Sequence, residues 1–371
     1  MAVGLPLKTT YANGDVYSAG DVNDITGTIN LLGASVAYTA GKNRIINGDY
    51  RFNQRAFTSN TANNSFSFDR WIQLNAGTTG TLTVTPQTFS PGTAPVTGYE
   101  GINYLQAITA AGASADTYAM VNQKIEDVRT FANQAITVSF WAKAASGTPK
   151  ISVEMEQNFG SGGSGGVLAS SSAAATISTS WARYSFNVTV PSISGKTIGT
   201  SSYTALNIWL SAGSSFNSRA NSIGLQNATF QIWGVQAEIG STATAFQTAS
   251  GSIQGELALC QRYYWRSTAS AAYSYIGNTG YCASATIVYL PIVLQVPLRV
   301  YPTALEKGGQ LAVSDSQTRY KSGSFTLASE GTVTAPLLVY SHGSSVLTQY
   351  RPYGLQADND AATYVAFNAE L

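Results

Sequence analysis

The chain has 371 residues, enough for two or three domains, and its formal net charge is only +1. Charged residues make up 11% of it, far below the roughly 25% of ordinary soluble domains. This composition, with 35 glycines and 21 tyrosines, favours short strands joined by tight turns over a helical enzyme. The charge supplies no basic field for nucleic acid, and the apolar runs are too short to insert into a membrane.

Cysteine and histidine limit the metal and cofactor chemistry. The two cysteines are Cys260 and Cys282. A disulfide between them is conceivable, but two buried thiols are the preferred interpretation. The single histidine, His342, excludes a Cys₂His₂ or His₃ zinc site, and no G-x-S-x-G turn accompanies it. We therefore expect no metal site of this kind and no cofactor.

Residues 1–42 carry a helical pattern. Apolar side chains recur at spacings of three and four residues, as in the a and d positions of a coiled coil. They are Val22, Ile25, Ile29, Leu32 and Val36. Asp21 is placed to cap this helix, whereas Gly27 and Gly33 each weaken it by about 1 kcal/mol. The pattern predicts a short helix, either in a seam between chains or packed on its own domain.

Between residues 43 and 250, several segments mostly alternate apolar and polar residues, which predicts strands with one buried face. The segments are 81–87, 136–144, 151–159, 182–190, 205–213 and 228–240. Two antiparallel sheets packed face to face are the simplest arrangement, and a jelly roll is its commonest form here. The stretches 90–101 and 159–175 are rich in turn-forming or small residues and are expected to be loops.

The segment 151–159 contains the most enzyme-like residues. Ile151, Val153 and Met155 predict its buried face, and Glu154 and Glu156 share the other face. Two neighbouring carboxylates are the residue types that glycoside hydrolysis uses. A solvated strand face is the preferred interpretation, so we expect no enzyme.

Residues 251–371 predict a second β-sandwich, entered through one short helix at 255–265. In that helix, a spacing of three and four residues joins Leu257, Cys260, Gln261 and Tyr264, so several of its aromatic side chains are expected in the core. Strand patterns follow at 286–292, 323–329 and 335–342. The overall prediction is a mainly β chain with a short N-terminal helix and two β-sandwiches.

Two stretches resemble bacteriophage tail-fibre and related virion surface proteins: NRIINGDYRFNQRA with SFDRW at 43–71, and ELALCQRYYWR at 256–266. The resemblance continues in WGVQAEIG at 233–240, in 289–305 and in AFNAEL at 366–371. Ala237 and Ile239 depart mildly from the usual family pattern, and 306–350 is free to vary. In that family the first stretch opens a carbohydrate-binding-type jelly roll, and the second opens a C-terminal β domain.

The resemblance implies three parts: an attachment and oligomerisation segment at 1–42, the jelly roll at 43–250 and a distal β domain at 251–371. It implies a homotrimer made in the host cytoplasm and located on the virion. The N-terminus would dock on the phage tail or another virion protein. A structural calcium held by Asp49, Asp69 or Glu238 would suit such a jelly roll, because carboxylate oxygens are hard ligands.

The segment 266–281 supplies candidate sugar-binding side chains. Aromatic faces stack on sugars while amides order the hydroxyl groups, and the candidates are Tyr273, Tyr275, Asn278 and Tyr281. The alternative is that Tyr273 and Tyr275 form one core-facing side of a strand. The expected function is a fibre that binds host surface glycan. The alternatives are a purely structural or decorating fibre and a glycan-degrading tailspike.

Overall fold

A computed structural model of the chain describes residues 41–315 and 317–371. The predicted N-terminal helix and its seam lie outside these residues. Within the described ranges the chain is mainly β, as the sequence predicts, with a 3₁₀-helix at Ser214–Phe216 and an α-helix, α1, at Ile253–Gln261.

The first β-sandwich is formed by residues 65–239. Its strands are β1 (Ser65–Phe66), β2 (Ile72–Ala76), β3 (Thr81–Thr88), β4 (Asn103–Ala110), β5 (Tyr118–Glu126), β6 (Ala135–Ala144), β7 (Lys150–Asn158), β8 (Val167–Ser170), β9 (Ala175–Thr176), β10 (Ala182–Thr189), β11 (Tyr203–Ala212) and β12 (Ala228–Ile239). One sheet has the order β1-β2-β5-β11-β7-β8 with β9 also on β7, and the other has the order β10-β6-β12-β4-β3. The long strands from β4 to β12 alternate between the two antiparallel sheets, so both sheets contribute to one core.

The six predicted strands of this region match β3, β6, β7, β10, β11 and β12 to within two residues at each end. The loop predicted at 159–175 is wrong in part, because Val167–Ser170 is strand β8. It pairs with β7 through Leu168 opposite Glu156. The backbone groups at the edge of β7 provide this pairing even though the segment has weak strand propensity.

Apolar side chains of both sheets fill the core between them. Fully buried members include Phe140, Met155, Ile208 and Phe230. Each such side chain stabilises the fold by about 1.5–3 kcal/mol relative to an exposed one.

The second β-sandwich follows α1. Its strands are β13 (Tyr264–Thr268), β14 (Tyr275–Ser284), β15 (Ile287–Pro291), β16 (Leu305–Gly308), β17 (Leu311–Ser314), β18 (Arg319–Tyr320), β19 (Ser324–Thr332), β20 (Ala335–Ser341), β21 (Pro352–Ala357) and β22 (Tyr364–Asn368). A three-stranded sheet, β13-β22-β16, packs against a seven-stranded sheet, β18-β17-β21-β14-β15-β20-β19, around a separate apolar core. The predicted boundaries at 42 and 250 stay predictions.

The predicted helix at 255–265 is present but ends earlier. Helix α1 stops at Gln261, and Tyr264 opens β13 because it pairs with Asn368 of β22. Cys260 and Cys282 are both free and buried, and burial raises the pKa of each thiol. None of the helices in the described ranges combines the length and hydropathy of a membrane span.

Candidate functional site

The predicted sugar-binding residues lie on and beside β14, the central strand of the seven-stranded sheet. Tyr281 pairs with Pro352 of β21, and Tyr275 pairs with Gln356. Tyr353, which alternates with these partners along β21, is fully buried in the core. Paired residues of antiparallel strands point to the same side of a sheet. The two β14 tyrosines therefore lie on the outer side.

Exposure separates the two interpretations of these tyrosines. Tyr273, Tyr275 and Tyr281 are 40%, 58% and 56% exposed. The alternative that Tyr273 and Tyr275 lie in the core is therefore wrong. The inner side of β14 is occupied by Ile276 and Cys282 instead.

The ring of Tyr275 and the ring of Tyr273 each have one identified contact. A Cβ atom at Gly354 would lie 2.5 Å from Cε1 of Tyr275, so this ring packs directly on the glycine backbone. The Arg319 guanidinium lies 4.3 Å from the ring centroid of Tyr273. The Tyr273 carbonyl accepts a hydrogen bond from Nε2 of Gln356. The backbone of Tyr273 is left-handed, with a φ of +68°. Such a backbone conformation is costly for a bulky residue and persists where neighbours hold it.

Tyr281 continues the same surface toward β15. Its ring centroid lies 5.6 Å from that of Tyr289, with which it pairs across the strands. We call Tyr273, Tyr275, Tyr281 and Tyr289 the tyrosine face. The fourth predicted residue, Asn278, is exposed, and its Oδ1 accepts a hydrogen bond from the Val293 amide at 3.3 Å.

The enzyme-like carboxylate Glu154 is not on a solvated face, and that expectation is wrong. Its side chain is fully buried because the segment after β11 covers the outer side of β7. Arg219 of that segment donates to both carboxylate oxygens at 2.8 and 2.7 Å, and Asn207 donates at 3.0 Å. The hydrogen bond to Glu154 raises the pKa of Arg219. Glu156, the second predicted acid, is half-buried beside this pair.

His342 also has identifiable partners. Its Nε2 lies 2.8 Å from the Ser322 hydroxyl, and its Nδ1 lies 3.0 Å from the Ser344 carbonyl oxygen. Asp315 binds Arg351 at 2.6 Å. His342 therefore contacts two serines, and the Asp315 carboxylate is paired with Arg351.

Each of the three alternative calcium ligands, Asp49, Asp69 and Glu238, has hydrogen-bond partners within the protein. Gln54 donates to Asp69 from its side chain at 2.9 Å, and the backbone and hydroxyl of Thr244 donate to Glu238 at 2.8 and 2.7 Å. Asp49 has different partners again. In the part of the chain that the structure describes, no group of three or more acidic, histidine or cysteine side chains is arranged to hold a metal.

The three stretches at 43–71, 256–266 and 366–371 meet between the two sandwiches. Arg55 lies 3.6 Å from the ring centroid of Tyr264, and Arg70 lies 3.5 Å from that of Tyr263. Both arginines also pair with Glu370. Burial lowers the pKa of Arg70 to about 10, which leaves it protonated at neutral pH. We call this contact the joint.

Further polar contacts surround the joint. Arg262 at the end of α1 binds both oxygens of Glu126 at 2.9–3.1 Å. Arg299 donates to the carbonyl oxygens of Ala369 and Glu370 at 2.9 and 2.8 Å. These charged groups connect the first sandwich, α1 and the residues after β22.

A cavity of about 370 Å³, which no sequence pattern predicted, lies beside the joint. Asp49, Tyr99 and Glu256 line it, together with Glu100 and Ile253. Asp49 and Glu256 are 207 positions apart in the sequence, so no local pattern brings the lining residues together. The one feature of the sequence that indicates this cavity is that Asp49 and Glu256 lie in the stretches 43–71 and 256–266, which carry the resemblance.

No protein-family model matches this sequence, and no curated protein matches it significantly. Solved structures with a similar arrangement include the enzymatically active domain of tailspike protein 4 from bacteriophage CBA120 (TM-score 0.30, 13% identity). That alignment covers 54% of this chain and only 22% of the tailspike chain.

Two carbohydrate-binding modules are also similar at a TM-score of 0.30. The CBM22-1 xylan-binding domain from Paenibacillus barcinonensis is 9% identical, with 55% of this chain and 99% of that chain covered. The family 11 module from Clostridium thermocellum, in complex with a mixed-linked tetrasaccharide, is 13% identical, with 50% and 98% covered.

Proposed function

We propose that the chain is a bacteriophage tail-fibre-like virion protein that binds a host surface glycan without cleaving it. In this proposal the first sandwich is a jelly roll of carbohydrate-binding type, and the second sandwich is distal. Residues 1–42 hold a homotrimer and dock on the tail or another virion protein. The protein is made in the host cytoplasm and located on the virion, and light scattering of the full chain tests for the trimer.

The tyrosine face is the observation that carries the proposal. Exposed aromatic rings stack on the C–H patches of sugars, and they bind at low entropic cost when their rotamers are already fixed. Gly354 and Arg319 support the rings of Tyr275 and Tyr273 in this way. Asn278 and Thr279 add exposed polar groups between the tyrosines.

The contacts of Glu154 support binding without cleavage. A glycosidase of the usual kind needs one carboxyl group as a proton donor and a second as nucleophile or base, both facing the substrate. In this chain Arg219 and Asn207 engage both oxygens of Glu154. Glycan release by the purified protein would contradict this part of the proposal and favour the tailspike alternative.

The test is binding of the full chain to an array of bacterial lipopolysaccharides, capsular polysaccharides and teichoic acids. We expect selective binding that Tyr281→Ala weakens by about tenfold, since base–aromatic stacking of similar area contributes about 1–3 kcal/mol. Ile239→Ala is the matched control, because Ile239 is 51% exposed and belongs to the first sandwich. Folded protein that binds none of these glycans would favour the purely structural or decorating fibre, whereas equal binding by both variants would show that the glycan binds outside the tyrosine face.

A further inference from the structure

One edge of the tyrosine face carries positive charge. Arg319 of β18 pairs with Ser314, which lies opposite Gly354 of β21. The ring of Tyr275 packs on the same glycine. Paired residues of antiparallel strands point to the same side of a sheet, so Arg319 lies on the outer side with the tyrosines. Its guanidinium is 4.3 Å from the ring centroid of Tyr273, which places a cation at one end of the tyrosine face.

Lys321 extends this charge beyond β18. The two oxygens of Asp358 each face one cation, with Nε of Arg319 at 3.3 Å from Oδ1 and Nζ of Lys321 at 2.9 Å from Oδ2. Two cations therefore share one carboxylate. The side chains of Arg319 and Lys321 are 44% and 65% exposed, whereas that of Asp358 is 9% exposed. A ligand on the outer side thus meets the cations rather than the acid.

A cavity of about 230 Å³ continues the basic surface past Lys321. Lys307 of β16 lines it together with Lys321, and none of the described residues that line it is acidic. Lys307 is exposed, and no described residue forms an ion pair or a hydrogen bond with its side chain. Asp360 lies next to Gly309 of the lining, and its Oδ1 accepts from the Ala362 amide at 2.9 Å. The three cations of this surface thus outnumber the two carboxylates beside them. We call Arg319, Lys321 and Lys307 the basic edge.

The width of the sheet determines how long a ligand must be to contact both regions. Strands β21 and β17 lie between β14, which carries Tyr275 and Tyr281, and β18, which carries Arg319. Three strand spacings correspond to about 14 Å, which is more than one sugar ring spans. A ligand that contacts the β14 tyrosines and the basic edge together is therefore a chain of sugars.

The position of Arg319 favours a carboxylate on the sugar ring over a phosphate. Its guanidinium lies against the aromatic ring of Tyr273, so the anion that it binds belongs to the sugar that stacks beside that ring. In a uronic acid the carboxylate is bonded directly to a ring carbon, whereas a phosphodiester is one oxygen further out and joins two units. A planar guanidinium also binds a carboxylate through two parallel hydrogen bonds, and lysines attract it as point charges.

We propose that the tyrosine face binds an acidic polysaccharide whose uronic acid carboxylates lie on the basic edge. Charge complementarity carries the proposal, since the exposed groups at this end of the face are cations. The inference rests on the proposed function, because it names the class of glycan that the tyrosine face takes.

The test compares bacterial capsular polysaccharides that contain uronic acids with their carboxyl-reduced forms, in binding to the full chain. Reduction converts each carboxylate into a neutral hydroxymethyl group. We expect it to weaken binding at least about tenfold, because it removes charge-assisted hydrogen bonds. A phosphate-containing teichoic acid should bind at least about tenfold more weakly than the best uronic acid polysaccharide. Raising the salt concentration to about 0.5 M should also weaken binding, since exposed charges are screened.

Variants of the basic edge connect the effect to these residues. We expect Lys307→Gln and Lys321→Gln each to weaken binding of the acidic polysaccharide about threefold, and the double variant about tenfold. Lys307 has no described partner, so its substitution should leave the fold unchanged. Lys150→Gln is the matched control, because Lys150 is an exposed lysine at the start of β7 in the first sandwich. It should bind as the wild type does.

Three results would overturn the proposal while glycan binding itself remained. They are equal binding of the carboxyl-reduced forms, a preference for neutral or phosphate-containing glycans, and full binding by the double lysine variant when Tyr281→Ala still weakens it. Equally tight binding of a single-stranded oligonucleotide would identify a non-specific polyanion surface and would also overturn it. Folded protein that binds no polysaccharide at all would instead reject the proposed function together with this inference.

Discussion

Gly354 determines where the ring of Tyr275 can lie. In Gly354→Ala the new Cβ would approach Cε1 of Tyr275 to 2.5 Å, so the ring must rotate away from the sheet. We expect the variant to bind the array glycan as weakly as Tyr275→Ala does, although no aromatic side chain is removed. Its melting temperature should change little, since alanine is no worse than glycine in a strand.

Gly343→Ala is the control for this substitution. A Cβ atom at Gly343 meets nothing within 4 Å, so neither glycan binding nor stability should change. Full glycan binding by Gly354→Ala would show that the position of the Tyr275 ring is unimportant.

Single residues were predictable where their surroundings are local in sequence. The buried face of β7 was identified from its alternation. The composition of 266–281 indicated the tyrosines as candidates, but it left open whether Tyr273 and Tyr275 face the core. The burial of Glu154 was not predictable, because Arg219, which covers and neutralises it, is 65 positions away. Alternation indicates that a strand has two sides, but it does not show what covers the second side.

The first turn of α1 connects the helix to the first sandwich. Ser252 caps the helix by accepting from the Gly255 amide at 3.0 Å, and Glu256 accepts from the Asn47 amide. Burial raises the pKa of the Glu256 carboxyl, although hydrogen bonds from Asn47 and Ser250 oppose the shift. Between the ordinary pKa and this raised value, the folded chain keeps a proton that the unfolded chain has released. The contribution of Glu256 to stability is therefore present at lower pH and is lost as pH rises through that window.

Glu256→Gln removes this titration. We expect the melting temperature of the wild type to fall relative to that of the variant as pH rises from about 4 to about 7. Melting curves of the wild type and Glu256→Gln, recorded at the same pH values, give the difference between their melting temperatures. The titration of other groups affects both proteins and cancels in this difference. A constant difference, or one of opposite slope, would contradict the assignment.

The strands that were predicted correctly share a strong local signal. The alternation in 136–144 and 228–240 spans a full strand, and the structure places β6 and β12 there. Strand β8 was missed because its four residues are small or weakly patterned and depend on the edge of β7. The end of α1 was misplaced because pairing with β22 starts β13 at Tyr264.

The joint is expected to make the two sandwiches unfold together. Arg70 and Glu370 are 2% and 4% exposed, so Glu370→Ala leaves a buried guanidinium without its counter-charge. Breaking such a buried pair costs about 3–5 kcal/mol. We expect calorimetry to show one transition for the wild type and an earlier, separate transition in Glu370→Ala.

Asp127→Ala provides the comparison for that experiment. Asp127 and Arg129 form an ion pair whose side chains are 44% and 59% exposed, and such pairs contribute about 0–1 kcal/mol. A single transition with unchanged stability in Glu370→Ala would show that the joint does not couple the sandwiches.

The assembly of the whole molecule was the part least accessible from the sequence. The stretches 43–71, 256–266 and 366–371 were recognisable individually, but their meeting in one joint depends on contacts across more than 300 positions, as between Arg55 and Glu370. The cavity beside the joint depends on the same long-range packing.

Strand β22 and Glu370 also impose an order on folding during synthesis. Residues 364–371 leave the ribosome after all other described residues, yet β22 is the middle strand between β13 and β16. The nascent second sandwich therefore lacks the centre of one sheet, and Arg55 and Arg70 lack their counter-charge, until translation reaches these residues. All strands of the first sandwich are synthesised earlier, so this sandwich folds as a unit before residues 364–371 are translated. A ribosome stalled shortly before residue 364 would thus carry one finished sandwich and one unfinished, aggregation-prone partner.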